Sequence, residues 1–219
     1  MTAMFLGAIR RLFVRATEAR GEPGQAAQLA RLSTGKWTRE LLKHLEWRRL
    51  EDLCAAYFTE LGFTTSIVHE RADGGAEICL CAAGAEQPSV LVHTRAWDAY
   101  PIGIKPLREL RAAMTAANVA EGIMVAAGRF TAEAAAYAAK EKIDLIDGAS
   151  LIAKLEALPE RGLALLKLVT KGDFLTPTCP RCFIKMTASR STGYGRMFWA
   201  CRNYPSCKLT FSSATITPA

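Results

Sequence analysis

Residues 71–110 read RADGGAEICLCAAGAEQPSVLVHTRAWDAYPIGIKPLREL, and this stretch decides the fold. It opens Arg71-Ala72-Asp73-Gly74-Gly75-Ala76-Glu77, an acid in a Gly-Gly turn followed by a second acid that begins an apolar run. His93-Thr94-Arg95-Ala96-Trp97 closes the next apolar run, and Gly103-Ile104-Lys105-Pro106-Leu107-Arg108-Glu109-Leu110 starts a helical pattern. Short runs of Ile, Leu and Val bounded by Asp-Gly-Gly and by a Gly-to-Pro turn are expected to be neighbouring strands of hairpins. The two carboxylates are oxygen ligands for a hard cation, and a positive group ending the following strand suits a phosphate. Metal-dependent phosphodiester chemistry needs that donor set.

Outward from this stretch the chain alternates helix and strand. Residues 46–61 form a helix with Leu50, Leu53, Cys54, Tyr57 and Leu61 at core spacing, and Gly62 is its stop. Strands are expected at 64–70, 77–82 and 89–94, a helix at 105–117 and a buried apolar strand at 122–127. An Ala-rich helix capped by Thr131 covers 131–141, with a last strand at 143–146 and a last helix at 149–158. The order predicts an α/β fold with a mixed sheet flanked by helices. The expected division is a basic segment at 1–37, this domain at 38–158, a linker at 159–177 and a small ribbon at 178–212.

The chain has 219 residues, half of them apolar and 22% charged, enough for one ordinary domain and a satellite. Its net charge of +7 is unevenly placed. Residues 1–37 carry six basic and two acidic side chains, 38–171 sixteen and eighteen, and 172–219 six and one. Basic ends around a slightly acidic middle suggest a polyanionic partner such as DNA, although a charge kept for solubility would look the same. No run approaches the ~20 apolar residues of a membrane span. Residues 4–14 place Phe5, Ile9, Leu12 and Phe13 on one helical face with arginines opposite, which suits a weakly docked surface helix or a membrane-surface contact. Nothing there resembles a cleaved leader, so a cytoplasmic chain without stabilising disulfides is expected.

Seven cysteines fall into two groups. Cys54, Cys79 and Cys81 lie in apolar surroundings, where small buried thiols are common. Cys179-Pro180-Arg181-Cys182 and Cys201-Arg202-Asn203-Tyr204-Pro205-Ser206-Cys207 are separated by eighteen residues, a hairpin's length. Two short cysteine loops at that spacing put four thiolates at the corners of a tetrahedron, as structural zinc requires. So small a segment buries too little surface to fold alone, and the metal would supply the folding free energy.

Residues 178–211 also resemble the C-terminal zinc fingers of bacterial type IA DNA topoisomerases. The match runs through Cys179-Pro180, Cys182, Met186, Arg190, Gly195, Phe198-Trp199, Cys201, Tyr204-Pro205 and Cys207. The resemblance implies an antiparallel zinc ribbon that binds DNA, typically single strands. The residues agree with that use: Lys185, Arg190, Arg196, Arg202 and Lys208 interleave with Tyr194, Phe198 and Tyr204. Cations there can neutralise phosphates beside aromatic faces that stack on bases. Trp199 is expected in the ribbon's core.

Residues 46–156 resemble the Mrr-like restriction endonuclease domain of the PD-(D/E)xK nuclease superfamily. Glu51 fits the acid of the family's first helix, and Asp73-Gly74-Gly75-Ala76-Glu77 fits its Asp-Gly-Gly-x-Asp. His93-Thr94-Arg95 falls where the family has Gln-x-Lys, and Leu145-Ile146-Asp147-Gly148 matches near the end. The resemblance implies a magnesium-dependent DNA endonuclease of the type IV restriction or DNA-repair kind. In it Asp73 and Glu77 bind magnesium with Glu51, His93 assists, Arg95 faces the scissile phosphate, and Lys105 is a DNA contact. Arg95 in place of lysine implies weakened catalysis, since guanidinium keeps its proton at ordinary pH and is bulkier. A catalytically inactive DNA-binding module on the same scaffold is the alternative, in which Arg95 and Glu77 form a plain salt bridge. The expected partners are duplex DNA at the nuclease-like domain and single strands at the ribbon, with a homodimer left open.

Overall fold

The computed structural model describes residues 32, 36–68, 77–96, 100–190 and 197–212. The helical pattern at 4–14, Asp73, Trp97, Tyr194 and Arg196 lie outside them. Helices α1 (Arg39–His44) and α2 (Trp47–Glu60) lead into strands β1 (Thr64–Val68), β2 (Glu77–Cys81) and β3 (Val90–Arg95). Then come α3 (Ile104–Ala116), β4 (Glu121–Ala126), α4 (Ala132–Lys140), β5 (Ile143–Ile146) and α5 (Gly148–Glu156). The sheet order is β1-β2-β3-β4-β5. Its first two pairings are antiparallel and its last two parallel, so the sheet is mixed as the element order predicts. Helices α3 and α4 supply the crossovers that parallel neighbours require.

Each face of the sheet carries its own apolar layer. On one, Ile78 and Leu80 of β2 and Val90 and Val92 of β3 pack with Leu50, Leu53, Tyr57 and Phe58 of α2 and Leu151 and Leu155 of α5. On the other, Leu91 and Met124 pack with Leu107, Leu110 and Met114 of α3 and Ala134 and Ala138 of α4. Alternation along β3 sorts its residues between the two. Local chemistry ends the helices where the packing needs them to end. Thr131 accepts from Ala134 N at 3.1 Å at the start of α4, and Asp147 accepts from Ser150 N at 2.8 Å at the start of α5. Gly148 is required there because a Cβ would collide with the Ala127 carbonyl. Gly62 takes φ +95° after α2, where a side chain would be strained. Leu61 differs from expectation: it follows the helix and is half exposed.

Residues 159–177, expected to be a linker, are packed structure. Helix α6 (Glu160–Leu166) continues into a 3-10 turn (Lys167–Thr170). Leu166, Val169 and Phe174 are fully buried in the same layer as α2. The physical reason is in the residues themselves, since Leu163, Leu166 and Val169 recur at helical spacing and need a surface to cover.

The last unit is a three-stranded antiparallel sheet, β6 (Thr187–Arg190), β7 (Met197–Ala200) and β8 (Thr210–Ser212), in that order. It is fastened to the start of α2. Glu46, only 6% exposed, accepts at one carboxylate oxygen from Thr178 N and Arg48 N and at the other from Thr178 Oγ1 and Lys185 Nζ, at 3.1–3.2 Å. Trp47 Nε1 donates to the Thr178 carbonyl at 2.7 Å, and Arg48 sits over the Phe183 ring at 5.4 Å.

Candidate functional site

Glu77 stands directly opposite His93 in the antiparallel β2–β3 register. Opposed residues share a face, as do residues two apart on one strand, so Glu77, His93 and Arg95 project together. Their face is the one covered by α3 and α4, because Leu91 points into that layer and Val92 into the other. His93 is fully buried, and its Nε2 lies 3.1 Å from Glu77 Oε2. The Arg95 guanidinium donates from Nη2 to Glu109 Oε2 at 2.9 Å and from Nη1 to the Thr94 carbonyl at 3.0 Å. Two pairs, Glu77–His93 and Arg95–Glu109, from β2, β3 and α3 thus stand in one row along that face.

Glu109 had no role assigned from sequence, although its signal was present. A helix that starts soon after a strand must fold back over it, and Glu109 falls on the second turn. Glu51 is buried, at 2% exposure. It lies on α2, in the layer across the sheet from Glu77 and His93. Burial, and then the Glu51 charge, push the neighbouring Cys54 thiol far above its ordinary value, so that thiol stays protonated and inert. Lys105 is exposed in the first turn of α3.

The row fits a metal in part. Adjacent ligands on an octahedral ion at ~2.1 Å stand about 3 Å apart, and the Glu77–His93 separation is 3.1 Å. The Glu77 carboxylate suits a hard cation, whereas an imidazole nitrogen suits a borderline one better.

The ribbon brings its four thiols together. The sulfurs of Cys179, Cys182, Cys201 and Cys207 lie within 4.8 Å of one another, and Cys179 and Cys207 are 3.9 Å apart. Tetrahedral thiolates at about 2.3 Å from a shared ion would be about 3.8 Å apart. Burial pushes the Cys201 thiol up to about 12, while the Leu209 N–H holds Cys207 below its ordinary value. The cluster could hold a metal. Trp199 packs against it as expected. Of the expected DNA contacts, Arg190, Arg202, Tyr204 and Lys208 are exposed and Phe198 is half-buried. Lys185 is instead engaged by Glu46 and by the Thr176 carbonyl, at 3.1 and 2.8 Å.

A restriction endonuclease family model of Mrr type matches residues 42–155, just over half of the chain. The chain belongs to that family. Its restriction endonuclease domain therefore contains the whole Glu77–His93–Arg95–Glu109 row, and the ribbon lies beyond the matched residues. Two solved restriction endonucleases are similar at low identity. The DNA modification-dependent restriction endonuclease AspBHI is 12% identical, with a TM-score of 0.44 over 68% of this chain. MspJI, solved with a 27-mer oligonucleotide, is 19% identical, with a TM-score of 0.32 over 75% of it. The chain spans about 40% of the length of each. No curated protein matches it. Among the described residues no helix is long and apolar enough to cross a membrane.

Proposed function

We propose that this chain is a metal-dependent endonuclease that hydrolyses DNA phosphodiester bonds, of the type IV restriction or DNA-repair kind. The observation that carries the reading is the juxtaposition of Glu77, His93 and Arg95 on one face of a restriction endonuclease domain. Glu77 and Asp73 would hold magnesium, with His93 assisting beside Glu77, whereas Glu51, on α2 across the sheet, would support the domain rather than share their ion. When bound, the ion would polarise the phosphate and lower the pKa of a water. Arg95 keeps a permanent positive charge beside the place where phosphorane charge develops. Lys105 would contact the duplex backbone. Cys179, Cys182, Cys201 and Cys207 would hold structural zinc, and thiolate ligands need the reducing conditions of a cytoplasm. The ribbon would bind DNA, single strands included, through Arg190, Arg196, Phe198, Arg202, Tyr204 and Lys208.

The deciding experiment is nicking of plasmid DNA by the purified chain with magnesium or manganese, against EDTA and against Glu77→Ala. Cleavage that needs both the metal and Glu77 supports the reading. A second reading, a DNA-binding module that no longer cuts, is favoured by the pairing of Glu77 with His93 and of Arg95 with Glu109. DNA binding without cleavage under either metal would establish it.

A further inference from the structure

We propose that Glu109 is the positioning residue for Arg95, holding its guanidinium where it meets a phosphate of bound DNA. The inference rests on the reading of Arg95 as the phosphate-facing cation. A guanidinium presents five donors in a rigid plane, and its usefulness to a phosphate depends on where that plane is held. Anchors from two elements hold it among the described residues. Nη2 donates to Glu109 at 2.9 Å and Nη1 to the Thr94 carbonyl at 3.0 Å, so one anchor comes from a helix and the other from a strand. The helix cannot drift, because Leu107, Leu110 and Met114 of α3 are fully buried against Leu91 and Met124 of the sheet. A close-packed layer of that kind transmits position from one element to the other. At 24% and 34% exposure Arg95 and Glu109 sit at the rim, within reach of a ligand.

The opposing reading is a rim ion pair in which Glu109 merely cancels charge. The two predict opposite signs. If Glu109 only cancels charge, Glu109→Ala removes an anion facing DNA and binding tightens. If Glu109 positions Arg95, Glu109→Ala leaves a mobile guanidinium and binding weakens. The assay is fluorescence anisotropy of a labelled duplex in calcium, an oxygen-ligating cation that does not demand magnesium's octahedral geometry. Arg95→Ala should weaken binding and lower the salt slope by about one. Glu109→Ala should weaken it roughly threefold or more, and the double substitution should be no weaker than Arg95→Ala alone. Glu109→Gln, which keeps an acceptor, should retain most of the affinity. In cleavage, the loss in Glu109→Ala should appear in kcat more than in KM.

Tighter or unchanged binding in Glu109→Ala, with Arg95→Ala still weakened, overturns the positioning role and leaves the nuclease reading intact. Unchanged binding and slope in Arg95→Ala overturn both the phosphate contact and its positioning. Additive losses in the double substitution show Glu109 acting elsewhere.

Discussion

At the scale of single residues the structure keeps Glu77, His93 and Arg95 on one face, where the family resemblance would put Asp, Gln and Lys. Glu77→Ala should abolish metal-dependent cleavage, by at least about a hundredfold, while circular dichroism stays native. His93→Gln with Arg95→Lys should raise cleavage by about tenfold or more if the present site is merely weakened. A slower double variant would show Arg95 to be adapted to its task. Asp147 offers a check on stability alone. The Ser150 N–H holds its carboxyl below the ordinary value of 3.8. A depressed folded-state pKa means that the contribution is present above the unfolded value and is lost as pH falls through the folded one. Asp147→Ala should therefore cost about 1 kcal/mol in urea unfolding at neutral pH, and the difference should shrink below that ordinary value.

At the scale of elements the decisive contact is between α2 and the ribbon. Glu46 begins α2, yet its carboxylate is shared by its own helix, by Thr178 and by Lys185 across the chain. A buried carboxylate meeting this many donors is held in one place, and the charged lysine strengthens its bond. Glu46→Ala should destabilise the protein by about 1.5–3 kcal/mol, because Thr178 and Lys185 lose a charged partner. Residues from 178 onward should also become more sensitive to limited proteolysis, and unchanged cleavage there would show the junction to be dispensable. Packing likewise explains why residues 159–177 are more than a tether. Phe174 is fully buried in the main layer, so the connection belongs to the core it leaves.

For the whole molecule this changes what metal removal and truncation should do. One zinc per chain is the expected elemental content if the four thiolates hold it. Cys201→Ser should unfold the ribbon, and because Thr178 and Lys185 close on Glu46, it should also lower the stability of the restriction endonuclease domain. A truncation at 172 deletes Phe174 from the main core, whereas one after 177 spares it. The shorter deletion should leave a folded domain whose DNA affinity depends less steeply on salt, since the ribbon's cations are gone. An unchanged salt slope would assign the ribbon another partner.

The element order, the hairpins, the mixed sheet and the four-cysteine pattern were legible without coordinates, because they follow from local periodicity, turn chemistry and ligand spacing. So was the shared face of His93 and Arg95, which needs only the two-residue repeat of a strand. The pairing of Glu77 with His93 depended on β2–β3 register, and that of Arg95 with Glu109 on where α3 folds back. The side of the sheet on which Glu51 lies needed the helix layers to be in place. Glu46 reads in the sequence as the first residue of a helix and nothing more. Its partners stand 132 and 139 residues away, and contacts between distant segments leave no periodicity or spacing in the chain, so only the tertiary structure could choose them.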